Sequence, residues 1–196
     1  MMKRLFILIL LGFMSAAVAD AYSRNTYFNV GLTGTNMAQT DFPELKSNFG
    51  LNMNIGQTLP ITRGGFQLGL DLTWLDLNYT NYKIKHVTAA STENYKYNQF
   101  DLAVQIGPSI AVMFGEWMRL HGYFRCAPTY SILKKPEAGY GNYATNFVTG
   151  ASLTFGAIGI GAEYRFGGCR YKQFGPHRAG PKTDLTGLRA YLAFRF

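Results

Sequence analysis

Acid–base or nucleophilic chemistry in this chain would have to come from three histidines, at positions 86, 121 and 177, two cysteines, Cys126 and Cys169, and scattered serines and carboxylates. The histidines fall on separate stretches, so neither a metal site nor another cofactor is expected. A reversal at Gly115-Glu116 would bring Ser109 close to His121, a nucleophile beside a base. Such a pair also needs an orienting third group. Asp101 would lie several residues away, opposite Thr129 or Ser131, and no carboxylate is expected at the level of His121. His121 is therefore read as a hydrogen-bonded interior residue, and no catalytic residue is assigned. Residues 139–144 match a dinucleotide fingerprint, but no helix follows them. Residues 107–111 approximate a nucleophile elbow without the required strand-to-helix turn.

The elements that must position these residues are strands. In the last twelve residues Leu188, Ala190, Leu192, Phe194 and Phe196 fall on one face, and Gly187, Arg189, Tyr191, Ala193 and Arg195 on the other. A strand has that period of two; a helix does not. Similar alternation marks residues 27–34, 48–58, 65–82, 94–114, 117–133, 144–155 and 158–172, which predicts eight strands. In 65–82 the parity falters at Leu75 and Leu77, the mark of a bulge. Pro108 interrupts the fourth stretch, because proline donates no ladder bond. Connections at 60–64, 115–116 and 156–157 are short. Those at 35–47, 84–94, 134–143 and 173–184 are long and polar.

Met1-Met2-Lys3-Arg4, an apolar run from Leu5 to Met14 and Ala17-Val18-Ala19 form the three parts of a secretory signal, which predicts cleavage before Asp20. The mature chain is then 20–196, a single domain, and loss of Lys3 and Arg4 lowers the net charge from +8 to +6. Mean hydropathy is −0.04, and no later apolar run is long enough for a membrane helix. A membrane residence would therefore require a closed barrel, since only helices and closed barrels satisfy their backbone groups in lipid. Eight strands with alternating short and long connections fit that solution. So do aromatics at both ends: Phe66, Phe114, Trp117, Phe155, Phe194 and Phe196 near the short turns, and Trp74, Tyr79, Tyr130 and Tyr171 toward the long loops.

The pattern resembles the small eight-stranded outer-membrane barrels of the OmpA or OmpX type. The final amphipathic strand, with Leu192, Phe194 and the terminal Phe196, resembles the assembly signal that such barrels present to the barrel-assembly machinery. The resemblance implies an all-β, eight-stranded, antiparallel, up-and-down transmembrane barrel. It also implies a monomer exported to the outer membrane of a Gram-negative-type bacterium.

An eight-stranded lumen is just wide enough for side chains to fill. Parity turns Asp71, Asp101, Arg119, His121, Arg125, Glu163, Arg165, Arg189 and Arg195 inward as an ionic network, with Asp71, Glu163, Arg125, Arg165 and Arg189 at its centre. Charges in so dry a space persist only when paired. By parity Cys126 faces lipid and Cys169 the lumen, with a strand between them, beyond disulfide reach. Lys83, Lys85, Lys134, Lys135, Arg170, Lys172, Arg178 and Lys182 gather at the outer rim, where they suit the phosphates of lipopolysaccharide. The strands flanking 84–94, with tyrosines at 79, 82, 95 and 97, are long enough to project as a ribbon for an extracellular partner. Nucleic acid is no partner for an exported chain. A structural or adhesive, non-catalytic role is expected; the alternatives are a lipid A-modifying enzyme, although the His-x-Ser arrangement of the deacylase type is absent at His121, and a small channel.

Overall fold

The computed structural model describes residues 25–39, 42–87, 92–134, 138–174 and 179–196, the side chains of 39, 42–44, 84–87, 92–95, 173 and 179–181 excepted. The signal segment 1–19 lies outside the described residues, as do Lys135, Arg178 and His177. Eight strands follow one another: β1 (Thr26–Gln39), β2 (Phe42–Pro60), β3 (Phe66–Val87), β4 (Thr92–Phe114), β5 (Met118–Lys134), β6 (Gly139–Phe155), β7 (Ile158–Gln173) and β8 (Ala179–Arg195). Each is antiparallel to its sequence neighbours, and β1 pairs with β8 from Tyr27↔Arg195 to Gln39↔Thr183. The sheet is thus a closed up-and-down barrel. Closure leaves no strand edge bare along the wall, the condition for placing a sheet in lipid. Its last rung is made by the chain terminus: Thr26 N donates to Phe196 O at 3.1 Å and Phe196 N to Thr26 O at 3.0 Å.

Each of the three short turns contains a glycine at positive φ, Gly64 at 122°, Gly115 at 67° and Gly156 at 59°. A side chain would be strained there. At the other end the strands run well past the apolar alternation. Residues 35–39, 42–47, 139–143 and 179–184, expected as loop, are paired strand. Beyond the lipid both faces can be polar, so pairing continues where the hydrophobic period has stopped.

The wall has the expected polarity. Leu32, Leu188 and Ile160 on the outer face are 59, 66 and 63% exposed, while Asp71, Arg125 and Glu163 inside are at 0, 1 and 1%. Exposure of so many large apolar side chains suits hydrocarbon, not water. Pro108 lies on the outer face of β4; the ladder to β5 lapses at Gly107 and Pro108 and resumes at Ser109 in the same register. At Gly107 an added Cβ would collide with the backbone of Phe124, so the two chains approach closely there.

The faltering parity in β3 is a bulge. The register with β4 shifts between Thr73 and Asp76, and that with β2 between Ile55 and Gly56. Trp74 and Leu75 both lie outward, and beyond them Asp76, Asn78, Thr80 and Tyr82 turn inward. Tyr171, expected in the outer aromatic girdle, is instead a lumen residue, 4% exposed, with its hydroxyl 2.8 Å from Ser131. An even-numbered offset from the inward Cys169 decides its face. Replacing Leu188, near mid-height on the lipid side, by Arg should destabilise the refolded barrel by about 2–4 kcal/mol in urea unfolding from lipid vesicles.

Candidate functional site

Inside the barrel the polar side chains form three tiers. Lowest, toward the short turns, Asp71 on β3 is met by Tyr27 OH at 2.6 Å and Thr58 Oγ1 at 3.1 Å. Arg125 Nε and His121 Nε2 approach its two oxygens at 3.0 and 3.2 Å. Arg195 donates through Nη2 to His121 Nδ1 at 2.9 Å. A guanidinium can only donate, so Nδ1 carries the lone pair and the ring proton sits on Nε2, toward Asp71.

The middle tier is a chain of alternating charge. Arg125 Nη1 reaches Glu163 Oε1 at 3.3 Å, and Arg189 Nη1 reaches Glu163 Oε2 at 3.2 Å. Arg189 also holds Asp76, at 3.1 Å from each carboxylate oxygen. Gln105 ties the two ends, accepting from Arg125 at 3.0 Å and donating to Asp76 at 2.7 Å. Tyr123 donates to Glu163 at 2.7 Å, and its ring lies 3.5 Å below the Arg125 guanidinium carbon.

In the upper tier Arg165 donates to Asp101 at 2.8 Å. Asp101 further accepts from Ser131 and from Gln99, the latter at 3.0 Å. Tyr82 donates to Gln99 at 2.6 Å, and Asn146 to Thr129 at 2.9 Å.

These placements correct the sequence reading in several respects. Arg165 does not join the central group; it pairs one tier higher with Asp101, which lies opposite Ser131 in the register. Its place in the centre belongs to Asp76, which strict alternation from Asp71 would have turned outward and the bulge turns in. The carboxylate judged absent near His121 is Asp71. Strands β3 and β5 are not neighbours, and their side chains meet only across the lumen, where pairwise register carries no information. Ser109 lies opposite Tyr123, while Ala111 is opposite His121. Arg119 is buried at 3% and completes the inward set at the short-turn end.

The arrangement fills space and sets each buried carboxylate against a buried arginine. Arg195 takes the Nδ1 lone pair of His121, and Nε2 faces Asp71 at 3.2 Å, which leaves no free lone pair for general-base work. Among the described residues no group of three His, Cys, Asp or Glu side chains could hold a metal. Both cysteines are free thiols, Cys169 buried on β7 and Cys126 on the outer side of β5. At the rim Lys83, Lys134, Arg170, Lys172 and Lys182 are exposed. The backbone of Lys85 pairs with that of Asn94.

No protein-family model matches the chain, and no curated protein does. Among solved structures, Neisserial surface protein A superposes with a TM-score of 0.51 at 9% identity, covering 87% of this chain and 97% of that one. The fold is that of a small outer-membrane barrel. The outer-membrane barrel is also similar to the attachment invasion locus protein Ail of Yersinia pestis, with a TM-score of 0.46, 12% identity and coverage of 88% and 99%. The outer membrane protease OmpT of Escherichia coli gives 0.47 at 9% identity, covering 91% and 99%.

Because Glu163 bridges two arginines, Glu163→Leu in the outer-membrane barrel should cost about 3–5 kcal/mol in urea unfolding, the usual penalty for stranding a buried charge. Removing both ends of one link, in Asp76→Leu/Arg189→Leu, should cost less than the sum of the two single changes.

Proposed function

We propose that this protein is a monomeric, non-catalytic outer-membrane barrel with a structural or adhesive role, contacting lipopolysaccharide and presenting its outer loops to extracellular partners. The observation that carries this reading is the division of its chemistry. Among the described residues, groups capable of acid–base work are buried in the lumen and spent on one another, whereas the accessible chemistry at the outer rim is largely cationic. A lumen packed with Arg125, Tyr27, Gln105 and Glu163 likewise opposes a constitutive pore.

Export would begin with removal of residues 1–19, and insertion would use Leu192, Phe194 and Phe196 as the signal to the assembly machinery. The chain end that bears that signal also makes the closing rung with Thr26. The projecting ribbon supplies the partner surface. Among the described residues, strand β3 loses its β2 partner beyond Ser47↔Tyr82, and β4 loses β5 beyond Asn98↔Lys134, yet the two stay paired up to Val87↔Thr92. Its free edges could accept an extended segment by strand addition.

Purified barrel should bind lipopolysaccharide-containing vesicles with an affinity that falls as salt rises, and should pass no steady current in planar bilayers. Release of fatty acid from lipid A, abolished by His121→Ala, would replace this reading with the enzymatic one. Deleting Phe196 should lower the yield of heat-modifiable, membrane-inserted protein in cells.

A further inference from the structure

One level of the outer wall changes character around the barrel. Tyr130 on β5 and Tyr143 on β6 lie twelve residues above their short-turn ends at Met118 and Phe155, and their rings meet edge-on with centroids 5.0 Å apart. Arg170 on β7 and Lys182 on β8 lie the same twelve residues above Ile158 and Phe194. At about 3.4 Å per residue and a tilt near 40°, this level stands about 31 Å above the short-turn end, just past an apolar band about 25 Å tall. It is the level of an interfacial belt. On β5 and β6 the belt is aromatic; on β7 and β8 it is cationic.

The cations are also cross-strand partners, Arg170↔Lys182. Like charges directly opposite in a sheet are destabilising. The flanking register, Gly141↔Lys172 and Ala144↔Cys169, sets Tyr143 beside Arg170 and puts Lys172 at the next outward position. Only Asp184 offsets them among the described residues, 3.5 Å from Lys182 in a pair that is 67% and 64% exposed, where an ion pair is worth little. Below the cations come Gly168 and Asp184, then Phe166 beside Thr186, and the outer faces of β7 and β8 continue downward as Tyr164 and Leu188.

The geometry points to a lipid site: the Arg170–Lys182 rung, with Lys172 above and Tyr143 beside it, binds a phosphate of an outer-leaflet glycolipid whose acyl chains descend over Phe166, Tyr164 and Leu188. A phosphate offers several oxygens to two cations held close by the sheet, and so offsets the repulsion that the fold itself imposes. The site deepens the lipopolysaccharide-contact reading and rests on it. A second like-charge rung, Lys83↔Lys96, provides an internal control. It stands about 10–15 Å higher by the same rise and tilt, clear of the lipid phosphates.

The test is native mass spectrometry of the whole refolded barrel in neutral detergent, titrated with diphosphoryl lipid A and with lipid A stripped of phosphate. Heat-modifiable mobility would verify that each variant is folded. Each basic side chain near an anionic lipid surface contributes about fivefold, so Arg170→Gln/Lys182→Gln should weaken diphosphoryl lipid A about 25-fold. The same variant should leave binding of the stripped lipid unchanged. Lys83→Gln/Lys96→Gln removes as much charge and should change affinity by less than about twofold. Lys182→Glu, which sets an anion opposite Arg170, should raise the unfolding midpoint while lowering lipid A affinity, a combination that a purely structural role would not produce. Equal losses in the two double variants, or none in either, would overturn the site while leaving the broader reading in place. Failure of the unmodified barrel to bind lipid A would overturn both.

Discussion

The constraint on which the rest depends is the pairing of buried charges inside a lumen too narrow to hold bulk water. Glu163 is the clearest instance, with one oxygen facing Arg125, the other facing Arg189, and Tyr123 donating to the first. None of the three charges would tolerate isolation there, since an unpaired ion in a low-dielectric space costs several kcal/mol. Three of the links span strands that are not neighbours: Arg125–Glu163 from β5 to β7, Arg189–Asp76 from β8 to β3, and Asp71–Arg125 from β3 to β5. The backbone ladder ties only adjacent strands, so these side-chain links set the cross-section of the cylinder. Glycine helps to set it too. Side-chain-free Gly161 leaves room for the ring of Tyr191, which then meets Tyr123 at 2.8 Å.

The exterior follows from the interior. Once the inward positions of a closed sheet are polar, the alternate positions must form a continuous outer surface, and here it is apolar. A water-soluble barrel would need the opposite arrangement. The same alternation sorts the chemistry: among the described residues His121, Asp71 and Glu163 are enclosed in the lumen, while basic residues collect at the outer end, where strands outlast the lipid.

At that outer end the sheet makes its own demands. Register, not charge preference, places Arg170 against Lys182 and Lys83 against Lys96, and a sheet that only had to be stable would separate them. The tyrosines hold the same level on β5 and β6, which makes the cations of β7 and β8 part of a belt rather than a scatter of solvated lysines. The β3–β4 ribbon is a different kind of surface: among the described residues its backbone beyond Tyr82 and Asn98 pairs only between the two strands.

Much of this was legible in the order of residues. A period of two from Leu188 to Phe196, repeated along the chain with short glycine turns between alternate strands, determined strand number, direction and which residues face lipid. Local sterics and solvent preference decide those features, and both are properties of neighbours along the chain. The partners were not legible. Asp76 turns inward only because a bulge adds a residue between it and Asp71, and sequence shows the break in parity without showing which side the chain resumes on. Asp71 meets His121, and Arg165 chooses Asp101 over the central cluster, through contacts across the lumen between strands that share no hydrogen bond. Which charge neutralises which is settled by the shear and diameter of the closed cylinder, a global property to which no single stretch of sequence has access.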